Sequence, residues 1–143
     1  MGVSPGKIDE YFMRRAISLA MRGTGRTSPN PLVGCVVVKN GAVLAKGFHA
    51  FCGGDHAERS ALSKIADAEG ADLYVNLEPC AHFGRTPPCA ALIAEKGIAR
   101  VAAGMTDPDE RVSGKGFEFL RKAGIEVVSG ILENECRRLN RGY

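Results

Sequence analysis

The 143-residue chain contains no tryptophan and only nine other aromatic residues, three Tyr and six Phe. It therefore lacks the aromatic platform on which single-stranded nucleic acids stack. No apolar run approaches the ~18 residues that a membrane-spanning helix needs. The opening MGVSPGKIDEYFMRR also lacks the apolar core of a signal peptide. Neither sign of charge is in large excess: 19 Lys and Arg against 16 Asp and Glu give a net charge of +3, with no clustered basic stripe. That balance suits small anionic ligands and argues against nucleic-acid and membrane partners. Repeats, linkers and low-complexity segments are missing as well. With 45% apolar and 24% charged residues, the chain reads as one soluble globular domain over residues 1–143, expected in the cytoplasm.

A disulfide framework is a further absence. Five cysteines is an odd number, and a reducing compartment disfavours such bonds. Cys35, Cys52 and Cys136 show no partner pattern and read as ordinary thiols. Cys80 and Cys89 are different. They bracket eight residues within EPCAHFGRTPPC, a rigid and polar stretch with three prolines, a histidine and an arginine.

Apolar spacing predicts a helix over 9–22, with Asp9 as N-cap and Gly23 as stop. Strands follow over 32–38 and 42–48, joined by a hairpin turn at Asn40-Gly41. A helix over 55–70 leads into a strand over 72–77 that runs straight into the cysteine stretch. The next helix is expected to open at Pro87 with Thr86 as cap and to close at Gly97. A strand over 98–103, a helix over 116–122, a strand over 125–128 and a helix over 131–140 complete the chain. A hairpin followed by alternating helices and strands implies a mixed sheet with helices on both faces. Ligands then bind beyond strand ends, where loops meet helix starts.

Two segments at helix starts carry chemistry. His56-Ala57-Glu58 supplies an imidazole and a carboxylate, and Cys80 and Cys89 supply two sulfurs. One nitrogen and two sulfurs leave the fourth position of a tetrahedral zinc open to water, as in catalytic rather than structural sites. Zinc lowers the pKa of such a water towards neutrality. The helix start favours Cys89 as a thiolate. Glu58, adjacent to that water and not a ligand, has the chemistry of a proton shuttle. These are the parts of a zinc deaminase. Alone, each piece has a plainer reading: Asp55-x-x-Glu58 matches a helix capping box, and His56 could be an ordinary helix-start histidine. The conjunction of His-x-Glu with Pro-Cys and a following Cys favours the metal. A closed structural zinc would need a fourth Cys or His with ligand-like spacing, which the chain does not offer.

Over nearly its whole length the chain resembles the N-terminal deaminase domain of the bifunctional riboflavin-biosynthesis deaminase/reductase family. The segments that carry the resemblance are PNPLVGCVVV, GFHAFCGGDHAE, YVNLEPCAHFGRTPPC, RVAAGMTDP, GKGFEFLRKAGIEV and LNRGY. Other deaminases of the cytidine-deaminase-like superfamily close the zinc site with a short PC-x-x-C, whereas PC-x8-C with an intervening H-x-G-R-T-P points to the riboflavin branch. The resemblance implies a three-layer α/β/α fold with a central mixed sheet of about five strands. It implies zinc held by His56, Cys80 and Cys89, with Glu58 as the catalytic shuttle. Asn30, His49, His82 and Arg85 match positions that contact substrate, Arg85 being suited to a phosphate. The implied reaction is hydrolytic deamination of 2,5-diamino-6-(5-phosphoribosylamino)pyrimidin-4-one to 5-amino-6-(5-phosphoribosylamino)uracil and ammonia. A homo-oligomer is also expected.

Relatives in that family commonly continue into a reductase domain where this chain reaches LNRGY. No dinucleotide-binding G-x-G-x-x-G follows a strand here, so no reductase domain is expected within residues 1–143. A fused or separate reductase after Tyr143 is the expected partner. The chain is then either an excised domain or a monofunctional deaminase. Two alternatives stay open: a deaminase of another base or nucleotide, such as cytidine or guanine, and a zinc-stabilised binding domain without catalysis. Arg85 and the long cysteine loop weigh against the first, and the intact Glu58 against the second.

Overall fold

Apolar runs without alternation, such as Val36-Val37-Val38, suit strands covered on both faces. The computed structural model, which describes residues 5–84 and 87–141, places them in such a sheet. Its strands are β1 (Gly34–Lys39), β2 (Ala42–Phe48), β3 (Asp72–Val75), β4 (Arg100–Ala103) and β5 (Glu126–Val128), in the order β2-β1-β3-β4-β5. β1 is antiparallel to both β2 and β3, whereas β3, β4 and β5 run parallel. The hairpin turn sits at Asn40-Gly41 as expected. Both residues take positive φ, 52° and 79°, as a tight turn matched to strand twist requires.

Helices cover both faces. On one lie α1 (Pro5–Ala20) and α5 (Glu133–Leu139), with Phe12, Met13, Ala16 and Cys136 packed on Val36, Tyr74 and Ala102. On the other lie α2 (Ala57–Leu62), α3 (Cys89–Glu95) and α4 (Lys115–Lys122), with Ala61, Leu62, Ile93 and Leu120 packed on Val37, Leu73, Val75 and Val101. Each large apolar side chain so buried contributes about 1.5–3 kcal/mol. The three-layer arrangement and the five strands agree with the expectation. Among the described residues no helix is long and apolar enough to cross a membrane.

Several boundaries differ from those read in the sequence. The helix expected over 55–70 stops at Leu62. Lys96 draws the chain away: its Nζ donates to Ile65 O at 2.7 Å, and its carbonyl accepts from Ala68 N at 3.1 Å. The helix expected from Pro87 begins at Cys89, with Pro88 extended at ψ 154° as N-cap. A residue before proline is biased away from helical backbone, so consecutive prolines delay the start. Thr86, the expected cap, lies outside the described residues.

Asp9 is not an N-cap, because α1 starts a turn earlier. Its carboxylate instead crosses to the sheet. Oδ1 accepts from Tyr74 Oη at 2.7 Å and Arg100 Nη1 at 3.0 Å, and Oδ2 accepts from Arg100 Nη2 at 2.7 Å. Burial opposes the Asp9 charge, but the bonds from Arg100 and Tyr74 outweigh it and hold the carboxyl below its usual range. The cluster locks α1 to β3 and β4. Asp9→Asn is expected to lose about 1.5–3 kcal/mol, the scale of hydrogen bonds to a charged group. Because the folded pKa is depressed, this contribution is complete above the ordinary aspartate value of 3.8 and is lost as pH falls through the folded value. Urea unfolding of both proteins should show a gap at pH 7 that narrows in acid.

Candidate metal centre

The sheet register gathers the site. Phe48 at the end of β2 pairs with Gly34 at the start of β1, Cys35 with Val75 at the end of β3, and Val75 with Ala103 at the end of β4. The segments before β1 and after β2, β3 and β4 therefore emerge along one edge. Asn30, His49, Cys80 and Asp107 belong to those segments, and His56 and Cys89 stand at the starts of α2 and α3.

His56, Cys80 and Cys89 converge, their ligand atoms all within 4.8 Å of one another. His56 Nδ1 lies 3.9 Å from Cys80 Sγ and 3.6 Å from Cys89 Sγ. A tetrahedral zinc at ~2.3 Å from sulfur and ~2.0 Å from nitrogen separates the two by about 3.6 Å, so the spacing fits. The donor chemistry fits as well, because thiolate with imidazole selects zinc over hard cations. All five cysteines are free thiols, so Cys80 and Cys89 are not lost to a disulfide. Arg59 of α2 steadies the ligand loop by donating Nη2 to Pro87 O at 2.8 Å.

The surroundings of Cys80 favour its thiolate form. The neighbouring Cys89 side chain, His56 and the Cys89 backbone N–H, which donates to Cys80 Sγ at 3.3 Å, draw the Cys80 pKa down to about 4. The neighbouring Cys80 and burial push the Cys89 thiol up. The hydrogen bond with Cys80 likewise raises His56, despite partial burial.

Glu58 is 4% exposed in the first turn of α2. Burial pushes its carboxyl up to about 7, and the Cys80 thiolate adds to the rise. The capping box does not form: His56, not Asp55, is the N-cap, and it makes no side-chain cap bond. Glu58 instead lines a cavity of about 260 Å³ together with Asn30, His49, His56, Cys80 and His82. A second cavity of about 340 Å³ adjoins the other side of His56, Cys80 and His82. Arg85 lies outside the described residues.

His49, 2% exposed, has both ring nitrogens engaged. Its Nδ1 is 2.9 Å from the Asp55 carbonyl, which can only accept, so Nδ1 carries the proton. Nε2 then accepts from Asn30 Nδ2 at 3.2 Å. This fixes the Asn30 amide and leaves its Oδ1 as an acceptor. The loop carrying Asn30 is clamped at Leu32, whose N–H donates to Asn140 Oδ1 at 2.7 Å. The Leu32 carbonyl accepts from Asn76 Nδ2 at 3.0 Å and Asn140 Nδ2 at 2.8 Å. Sequence reasoning missed two carboxylates of the pocket wall, Glu78 and Asp107. The signal for Glu78 was a charged residue on the heels of a buried strand.

A family model for the cytidine and deoxycytidylate deaminase zinc-binding region matches residues 6–105. The riboflavin biosynthesis protein RibD of Actinobacillus pleuropneumoniae is 55% identical over 133 residues, which cover 92% of this chain and 35% of that protein. Among solved structures, Acinetobacter baumannii RibD (form 2) superposes with a TM-score of 0.95 at 48% identity, covering 97% of this chain and 40% of that one. The Thermotoga maritima diaminohydroxyphosphoribosylaminopyrimidine deaminase/5-amino-6-(5-phosphoribosylamino)uracil reductase gives 0.91 at 51% identity, with coverage of 96% and 40%. The chain thus spans well under half the length of these relatives.

Metal analysis of purified protein should find zinc in wild type and little in Cys80→Ser or Cys89→Ser. Chelation should lower the melting temperature, because a ligand bound only by the folded state stabilises it. Zinc uptake near pH 7 should release protons as Cys89 ionises, so affinity should weaken as pH falls. Titration calorimetry in buffers of different ionisation enthalpy measures this.

Proposed function

Because the chain belongs to the cytidine and deoxycytidylate deaminase zinc-binding family, we propose that it hydrolyses 2,5-diamino-6-(5-phosphoribosylamino)pyrimidin-4-one at the ring 2-amino group. Water adds at that carbon and ammonia leaves, giving 5-amino-6-(5-phosphoribosylamino)uracil. The observation that carries this reading is the His56-Cys80-Cys89 set opening into the pocket that Glu58 lines. Relatives near 50% identity named for riboflavin biosynthesis support the choice of substrate. A reductase acting on the product, fused to this domain or separate, and self-association of the domain belong to the same proposal.

His56 Nδ1 and the sulfurs of Cys80 and Cys89 would hold the zinc. When bound, zinc lowers the pKa of a water and so supplies the nucleophile at neutral pH. Glu58 moves the protons: its carboxylate accepts one from the attacking water and returns it to a ring nitrogen, then accepts the second from the hydroxyl so added and delivers it to the departing amine. A carboxyl near neutrality exchanges protons efficiently in both directions. Asn30 Oδ1 accepts from a ring or exocyclic N–H, with His49 holding the amide in register. His82, which lines both cavities, contacts the ribose phosphate side of the substrate, and the guanidinium of Arg85 has the chemistry to pair with the phosphate.

Ammonia release from the diaminopyrimidine ribotide, cytidine and guanine tests the substrate directly, and turnover of cytidine or guanine alone would replace the riboflavin reading. Glu58→Gln preserves size and all three zinc ligands but cannot accept a proton at neutral pH. It should retain zinc and substrate binding while kcat falls by about 10²- to 10⁴-fold, the usual share of general acid–base catalysis. A folded, zinc-loaded variant that deaminates at the wild-type rate would remove Glu58 from the mechanism.

A further inference from the structure

Glu78 stands two residues before Cys80 and is 6% exposed. A carboxylate is costly to bury unless donors surround it. Here the donors are backbone amides of the segment joining β4 to α4: Asp107 N at 2.9 Å and Gly114 N at 3.0 Å to Oε1, and Phe117 N at 3.1 Å to Oε2. The Glu78 N–H donates in turn to Met105 O at 2.9 Å. Gly114, the N-cap of α4, has no side chain with which to cap. Phe117 is the third residue of that helix, the position an N-cap side chain ordinarily serves, so Glu78 supplies the missing cap from a distant segment. Its charge also suits a helix N-terminus. The contact is close: a Cβ on Gly116 would lie 1.9 Å from the Pro79 carbonyl oxygen, so the first turn of α4 rests on the backbone between Glu78 and the metal ligand. Asp107, held by this clasp, lines the pocket with Asn30, His56 and Glu58.

We infer that Glu78 is a positioning residue for the deamination, binding the segment that carries Asp107 to the segment that carries Cys80. It acts through Asp107, whose carboxylate offers an acceptor to the N–H groups of an aminopyrimidine. The inference rests on the pocket being the deaminase site.

The test combines Glu78→Gln, Asp107→Asn and the double variant, all zinc-loaded and assayed below their melting temperatures. Gln keeps the size of Glu but turns an amide N–H₂ towards backbone donors. We expect Glu78→Gln to retain its zinc and to speed hydrogen exchange in the peptide spanning 105–117. We expect kcat/KM to fall by about 100-fold, the loss that ångström-scale misplacement of a site brings, chiefly through KM. Added to Asp107→Asn it should cost little more, because the two act along one path. A merely structural Glu78 would lower the melting temperature while leaving kcat/KM unchanged, or its effect would add in full to that of Asp107→Asn; either result overturns the inference. If Glu78→Gln does not fold, Glu78→Asp, which keeps the charge and shortens the reach, is read in the same way. Kinetic ratios are taken on whichever nucleobase substrate the wild type turns over, so a wrong substrate is recognised separately. Exchange needs no substrate, and unchanged exchange over 105–117 overturns the inference whatever the activity.

Discussion

The direction of β1 governs the rest of this molecule. By running against both neighbours, it brings its own beginning beside the ends of β2 and β3, and the parallel pairing of β3 with β4 adds a third end to that edge. In an all-parallel sheet the residues before β1 would leave on the far side. Asn30 would then be separated from Cys80 by the length of a strand. The apolar strands fix this register through burial on both faces, since a slip of one residue would exchange the two helical layers' partners. A polar constellation is thus assembled by an apolar constraint.

The centre itself shows the converse, polar groups deciding local backbone. Leu32 is held by Asn76 and Asn140 from two directions, and His49 spends both nitrogens on holding Asn30. Such saturation matters in a pocket this small, because an amide free to rotate would offer donor and acceptor indifferently. Glu58 has the opposite environment. It is buried beside the Cys80 sulfur, and burial brings its carboxyl up to about 7, where either protonation state is accessible near neutrality.

The fold was largely legible because its signals are local. Asn40-Gly41 marks a hairpin, and the spacing of Phe12, Ala16, Leu19 and Ala20 marks one helical face. The metal set was legible because His-x-Glu and Pro-Cys-x8-Cys carry chemical meaning together. What escaped depends on distance in the chain. Asp9 resembles a cap until Arg100 is seen across the sheet, 91 residues on. Lys96 ends a helix that its own segment would continue. Glu78 went unremarked because its partners, Gly114 and Phe117, lie 36 and 39 residues ahead.

The clamp on Leu32 and the clasp on Glu78 bear on how this unit can be divided. The residues that define the family by sequence end at 105, yet the acceptors and donors that steady the pocket reach to Phe117 and Asn140. Asn140, at the end of α5, bonds Leu32 in the loop before β1, so a late helix serves as a buttress for the earliest part of the pocket. Recombination that respected only the recognisable segment would carry the ligands and leave their scaffolding behind. The smallest portable module is the whole three-layer unit, and exchange between related enzymes would succeed at its outer seams rather than at the edge of its signature.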